Sequence, residues 1–486
     1  MANSGGGIVN YAGASYLCPQ SRFYHDARAK QAVRLAAEFL VRRQTPDGNI
    51  DLETTNFNSP PDTGFVVWNV AEIACAARRL NDAEIESLLK PFLLAAAKGL
   101  VKGGVHTPNH RWVVSSALSQ IHSLWPDPSY LRRIDQWLAE GIDIDEDGQY
   151  TERSTTIYNT VCDRAFTLMA AKLNRPALLD PVRTNLNAML YLLHPGYEVV
   201  TEISRRQDLN QRGDMGRYWY PLATLAIKDQ NGQFATLAKH FESGHAALGT
   251  ILDQPDLLAP LPKPQPVPDN YVRTYKSLPI VRIRRGQTSA SILLNNVSRF
   301  FAVRRAAAVV EAVRFASAFF GKGQFRAQRW ERAGDGYLLT QELDGPYYQP
   351  LAPAEHVGPE DWGAARIKRA ASEVCKLKQS VAINETDNGF RIRIQSAGTP
   401  HVPVSIEIGL REGGQLTGCE PVGPAAHILA GARATYRLGR DTITFGPGAA
   451  PHRYVEVRGA EPKLTCTSVY ITGLTPFEHT IQFDLS

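Results

Sequence analysis

From about residue 26 to residue 250 the apolar positions recur with a helical period. ARAKQAVRLAAEFLVRRQ, DTGFVVWNVAEIACAARRL and EIESLLKPFLLAAAKGLV each put apolar residues on one side of a 3.6-residue turn. The pattern continues through RWVVSSALSQIHSLW, YLRRIDQWLAEGI, NTVCDRAFTLMAAKL, LLDPVRTNLNAMLYLL and YPLATLAIKDQNGQFATLAKHFESGHAALGTIL. Short Gly-, Pro- and Asp-rich loops such as TPDGN and DEDGQ separate these segments. A succession of paired helices predicts an array of α-hairpins closing into an (α/α) toroid. No fixed-period repeat is visible, which argues against a stacked solenoid.

Six prolines fall between Pro255 and Pro268, a stretch that favours extended, stiff backbone and marks a domain boundary. Beyond it the apolar period drops to two. PIVRIRRG, TSASILLNN, RFFAVRR, GYLLTQEL, VAINETDNGFRIRIQS, VSIEIGL, TYRLGRDTITFG, YVEVRG and TSVYITG alternate apolar with polar residues between turn residues. More than 200 such residues predict a large antiparallel β-sandwich. The expected organisation is a helical toroid over 1–252, a linker over 253–272 and a sandwich over 273–486.

Composition narrows the class without deciding it. A chain of 486 residues exceeds one ordinary core and fits two large domains. With 43% hydrophobic and 21% charged residues it reads as a soluble globular protein. The net charge of +5 calls for no nucleic-acid partner, and VRIRRG reads as the wet face of a strand. The six cysteines lie far apart without a CxxC pair and are expected to be free thiols. No basic, apolar leader opens the chain and no run of about eighteen apolar residues occurs, so no membrane span is expected. The expected location is cytoplasmic on the chain as given, or secreted or periplasmic if a signal preceded it. A homodimer is the default oligomer.

Polar chemistry concentrates where loops meet helices. In SPPDTGF (59–65), Asp62 is a candidate N-cap and a candidate substrate contact. In HTPNHRW (106–112), Pro108 stops any preceding helix and Asn109 is the expected N-cap, with His110 and Arg111 beside it. In DEDGQYTERSTTIYNTVCDR (145–164), a turn leads to Tyr150, Glu152 and Arg153 and then to Tyr158 at the head of the next helix. A further stretch, TEISRRQDLNQRGDMGRYWYP (201–221), sets Arg205, Arg206 and Arg217 near Tyr218 and Trp219. Guanidinium forks bind carboxylates and flat rings stack on sugars, so this stretch is a candidate saccharide subsite. For each of these the plain alternative is a capped helix or a solvated face.

The Asn-His pair opening one helix, followed by DGxYxExSxxxY leading into another, resembles the toroid domain of alginate lyases and heparinase II/III-like polysaccharide lyases. The resemblance implies the order of toroid, linker and sandwich. It implies a β-eliminating lyase acting on a uronic-acid-containing polysaccharide. Asn109 and His110 would then neutralise the uronate carboxylate, and Tyr158 would transfer the proton. Glu152 and Tyr150 carry over less directly. Many such lyases add a histidine from the first sandwich strands, yet 278–350 contains none here and no HxH pair occurs. Neither a metal nor another cofactor is expected.

Removing the C5 proton beside a charged carboxylate needs stabilisation of the dianion that develops, which Asn109 and His110 would supply. A phenol acting as base needs neighbouring positive charge, for which Arg111, Arg153 and Arg164 are the candidates. His110 as base with Tyr158 as acid is the competing assignment. Two other readings stand beside the lyase. One is a glycoside hydrolase using carboxylates among Asp62, Asp145, Asp147 and Glu152. The other is a carbohydrate-binding protein without catalysis.

Overall fold

The computed structural model describes residues 2–486 and divides them into two compact units. One runs to Pro268 and includes Lys276–Leu278; the other comprises Asp269–Tyr275 and Pro279–Ser486. The first is helical and the second is built from sheets.

The helical unit begins with α1 (Ala2–Leu17), α2 (Ala27–Arg43), α3 (Pro60–Arg79) and α4 (Ala83–Lys102). It continues with α5 (Pro108–Leu124), α6 (Pro128–Ala139), α7 (Tyr158–Lys172) and α8 (Asp180–Met189), and closes with α9 (Trp219–Asp229), α10 (Gly232–His245) and α11 (Leu248–Asp253). The segment over 220–252, which reads as one continuous period, is broken at Gln230, which sits in the left-handed region, and again after His245. α1 has no counterpart in the helical period of the sequence. Its SGGG stretch has poor helix propensity, but the missing side chains let it lie close to α2 and α3. A Cβ on Gly13 would come within 2.5 Å of Ile73 on α3. A two-stranded hairpin, β1 (Ile50–Leu52) and β2 (Asn56–Ser59), precedes α3.

The proline-rich stretch departs in part from the extended expectation: it opens on a 3-10 turn, Pro255–Leu258, then runs without helix or strand to Asp269, and it is also tied down. Gln265 N donates to Gly232 O at 2.9 Å, and Thr236 Oγ1 donates to Gln265 O at 2.6 Å, both at the start of α10.

The sheet unit holds one nine-stranded and one eight-stranded sheet. A meander from Asn270–Thr274 to Ala308–Ser317 starts the larger; the long hairpin Gly336–Tyr348 and Ala371–Thr386 anchors the smaller. The pairings are antiparallel except that Ala426–Ile428 runs parallel to Thr467–Leu474, a departure from the all-antiparallel expectation. One apolar core joins both sheets, with Ile283, Phe301 and Val313 from one and Ile383, Ile392 and Phe483 from the other. The Phe301 ring stands 5.2 Å from Phe390.

VRIRRG is not a wet face. Arg282 is 0% exposed, donating to Ala290 O at 2.9 Å, Ser291 Oγ at 2.6 Å and Ser289 Oγ at 2.7 Å. Strand neighbours accept from both Nη groups of the guanidinium, so alternation of charge alone did not reveal which face is buried. All six cysteines are free thiols. No helix among the described residues is long and apolar enough to cross a membrane.

Candidate active site

The starts of α3, α5 and α7 carry the polar groups singled out in the sequence, with caps that differ from expectation. Ser59, not Asp62, caps α3, and Pro60 and Pro61 occupy the first turn where no N–H is missed. Asp62 sits inside that turn, accepting from Ser59 Oγ at 2.6 Å and Asn56 Nδ2 at 2.9 Å. At α5 the cap position belongs to Thr107, whose side chain makes no capping bond, and Pro108 is the first helical residue. Asn109 therefore lies inside the helix, and its free N–H finds its acceptor elsewhere.

That acceptor is Glu152. Asn109 N donates to Glu152 Oε1 at 3.2 Å, and Asn109 Nδ2 donates to the same oxygen in a short bond. A carboxylate is thus placed at the positive end of α5, where helix amides favour an anion. Since Glu152 only accepts, it also fixes which end of the Asn109 amide faces it. Next to it, Arg153 has φ 45°, a conformation that costs a non-glycine residue about 1–3 kcal/mol. The turn points Arg153 away, to Ser277 O at 2.8 Å.

A second loop closes on the first through Asp208. Buried at 2% exposure, Asp208 accepts from Ser154 Oγ at 3.0 Å, Thr156 N at 3.1 Å and Ser204 Oγ at 3.0 Å. This clamp sets the two preceding residues of its loop, Arg206 and Gln207, against the start of α7. Arg206 Nη1 pairs with Glu152 Oε2 at 3.1 Å while its guanidinium lies over the Tyr158 ring, 4.7 Å from the centroid. Arg206 Nη2 approaches the Tyr158 hydroxyl at 3.5 Å, and Gln207 Nε2 donates to it at 3.1 Å. Asn109, Glu152, Arg206 and Tyr158 therefore form one continuous chain of polar contacts.

His110 completes the group. Its ring meets His106 edge-on at 4.7 Å and Phe65 at 6.2 Å. Burial pushes its pKa down to about 4, helped by His106 and Arg206 and opposed by Asp62. The imidazole is therefore neutral near pH 7. Its Nδ1 and the Asn109 Oδ1 are both buried without a hydrogen-bond partner. Such atoms occur elsewhere among the described residues, at Asp253 and Gln254 for example, and these two are set apart by their place on the chain of polar contacts that ends at Tyr158.

Other sequence candidates sit elsewhere. Tyr150 is 1% exposed and bonds Asp163 Oδ1 at 2.9 Å, so it supports the core and does not face a ligand. Tyr218 is fully buried, its hydroxyl donating to Thr155 O. Arg111 is held by Glu140 and Asp143 and stacks on Trp112, and Arg164 binds Glu72 and stacks on Trp68. Neither these nor Arg153 accompanies the Tyr158 hydroxyl; Arg206 does. Arg205 is exposed, and its N–H donates to Arg153 O at 2.8 Å. Arg217 is also exposed and, with Trp219, lines a neighbouring cavity. Gln207, which the sequence did not mark, touches the phenol. No group of three or more His, Cys, Asp or Glu side chains among the described residues could hold a metal ion.

Similarity to solved structures runs through the whole chain. The chain superimposes on the heparan sulfate lyase HepC from Pedobacter heparinus with a TM-score of 0.52 at 11% identity, covering 95% of this chain and 73% of that one. A mutant of the same enzyme gives 0.54 at 12% identity, over 95% and 74%. Paenibacillus xanthan lyase gives 0.58 at 9% identity, covering 100% of this chain and 53% of that one. The fold is that of polysaccharide lyases. No family model matches the chain, and no curated protein matches its sequence. At such identities the lyase fold is shared and the residues of the site must be argued from their own chemistry.

Proposed function

We propose that the chain is a polysaccharide lyase that cleaves a uronate-containing polysaccharide by β-elimination. In this reading the helical unit is an (α/α) toroid that carries the reaction, and the sheet unit is a β-sandwich. The observation that carries it is the Tyr158 hydroxyl held between Arg206 and Gln207, linked through Glu152 to an Asn109-His110 pair with open polar atoms.

The uronate carboxylate docks against Asn109 Nδ2 and a ring N–H of His110, while a sugar hydroxyl donates to the open Asn109 Oδ1. The contact from Asn109 Nδ2 to Thr107 Oγ1 is long, at 3.3 Å, and a carboxylate displaces it readily. Neutral His110 offers one N–H. Both donors strengthen as the C5 proton leaves and a second negative charge grows on the carboxylate. A donor aimed at charge that develops only in the transition state is worth about 3–4 kcal/mol.

Tyr158 takes the C5 proton as a phenolate, which the Arg206 guanidinium stabilises. The C5 electron pair forms the C4–C5 double bond, the C4–O4 bond breaks, and O4 takes the proton back from the Tyr158 hydroxyl. One group serves as base and then acid on the same face of the sugar. Glu152 holds Asn109 and Arg206 in register and takes no proton.

The hydrolase reading has weaker support. Asp145 and Asp147 receive the Ser277 hydroxyl at 2.8 and 2.9 Å, and Asp147 also receives Ser277 N at 2.6 Å. Asp62 and Glu152 are likewise engaged by Asn56, Ser59, Asn109 and Arg206. The test is to incubate the protein with alginate, glucuronan, glycosaminoglycans and rhamnose-containing acidic polymers. Elimination gives a conjugated product that absorbs in the ultraviolet. New reducing ends without that absorbance mean hydrolysis, and binding without any product means a non-catalytic protein.

A further inference from the structure

We infer that a cavity of about 510 Å³ beside the Tyr158 cluster is a subsite for a second anionic group, borne by a sugar next to the one cleaved. This rests on the lyase reading above. The cavity lies within the helical unit, and its lining includes Arg164, Arg217, His245, Trp68, Trp219 and Phe65. Not one aspartate or glutamate lines it.

Arg217 is exposed and makes no ion pair among the described residues. Arg164 lies over Trp68 at 5.3 Å and bonds Glu72 beneath, leaving its buried Nε without a partner. His245 enters the wall only because residue 216 is glycine, where a Cβ would fall 2.1 Å from the imidazole Nε2. Arg164 is already neutralised by Glu72, so the free charge is that of Arg217; a cationic fork beside indole planes suits an acidic sugar, the rings stacking and the guanidinium taking the charge.

The cavity adjoins the reaction centre through Phe65 and α7. Phe65, which lines it, meets His110 edge-on at 6.2 Å. Tyr158, Val161 and Arg164 are partly exposed at three-residue steps of α7, so Arg164 lies about 9 Å along the axis from Tyr158. A neighbouring sugar bridges that interval. The ligand group is a carboxylate or a sulfate ester, which share this chemistry.

Equilibrium titration at low salt tests this without turnover when every chain titrated carries Tyr158→Phe, so that the wild type and the variant below differ only at Arg217. The probes are a tetrasaccharide alternating uronate with neutral sugar, an all-uronate tetrasaccharide, and the alternating one sulfated on its neutral sugars. The wild type is expected to bind the all-uronate or the sulfated probe at least tenfold more tightly than the plain alternating one. Whichever gains identifies carboxylate or sulfate as the source. Arg217→Gln is expected to bring the preference below twofold. Equal binding of all three by the wild type, or a preference that survives Arg217→Gln, overturns the subsite. Failure to form unsaturated product alongside an intact preference rejects the lyase reading and spares the anion site.

Discussion

In the sheet unit Glu407 is 5% exposed and both of its oxygens are in use. Oε2 receives Arg314 Nε at 2.5 Å; Oε1 receives Leu464 N at 2.9 Å, Ser468 Oγ at 2.6 Å and Tyr470 OH at 3.2 Å. Around Asn109 in the helical unit the density of polar groups is similar, yet Asn109 Oδ1 and His110 Nδ1 are buried with nothing to bond. Glu152 there bonds Asn109 on one oxygen and pairs with Arg206 on the other, and Arg206 leads on to a phenol at the surface. A network that closes on itself holds a fold, whereas one with open atoms that leads to a phenol at the surface is arranged for something that arrives. The cost of leaving a buried polar atom unpaired is about 1–3 kcal/mol, and a fold keeps such a cost where a ligand removes it.

The comparison can be broken at either end. Glu407→Ala leaves Arg314 with Glu461 and Pro462 O alone, removes the acceptor of Leu464 N, Ser468 and Tyr470, and should cost about 3–5 kcal/mol in denaturant unfolding. A cost under about 1 kcal/mol would mean that the closed network does not hold the sheet unit. Asn109→Ala should do the reverse, lowering kcat by about 10²–10³-fold while stability moves by less than about 1 kcal/mol. Large unfolding with little kinetic change would make Asn109 a structural residue.

His110 sharpens the contrast through pH. Its pKa falls from 6.5 to about 4 on folding, so the unfolded chain takes up the proton first as the pH drops. Its contribution is fully present above pH 6.5 and is lost as the pH falls through about 4. The span amounts to at most about 3 kcal/mol. Unfolding midpoints measured across that window should slope less in His110→Asn than in the wild type; parallel slopes would remove the buried neutral imidazole from the account. The smallest effect is expected away from the site. Gly13→Ala should cost about 1–3 kcal/mol by pushing α1 off Ile73, and should leave kcat within twofold.

Much of this was legible in the chain. Apolar periods of 3.6 and then 2 gave the order of helices and strands, and the prolines between Pro255 and Pro268 marked the change. Asn109, His110 and Tyr158 stood out as polar residues at helix starts. The choice of arginine was not legible. Arg111, Arg153 and Arg164 are close to those residues in sequence, but each is drawn to a carboxylate or carbonyl of its own. Arg206 reaches Tyr158 because Asp208 fastens its loop to Ser154 and Thr156, a contact spanning about fifty residues that no local pattern encodes. Helix α1 was missed for a related reason: its glycines oppose helix formation alone, and only close packing on α3 offsets them.

The central claim is that the Tyr158 phenol moves the proton while other groups hold the sugar. Tyr158→Phe keeps the ring beneath Arg206 and removes only the hydroxyl. With the best acidic substrate from the ultraviolet screen, kcat should fall by about 10³-fold, and oligosaccharide Kd should stay within about threefold. Turnover within tenfold of the wild type would contradict the claim outright.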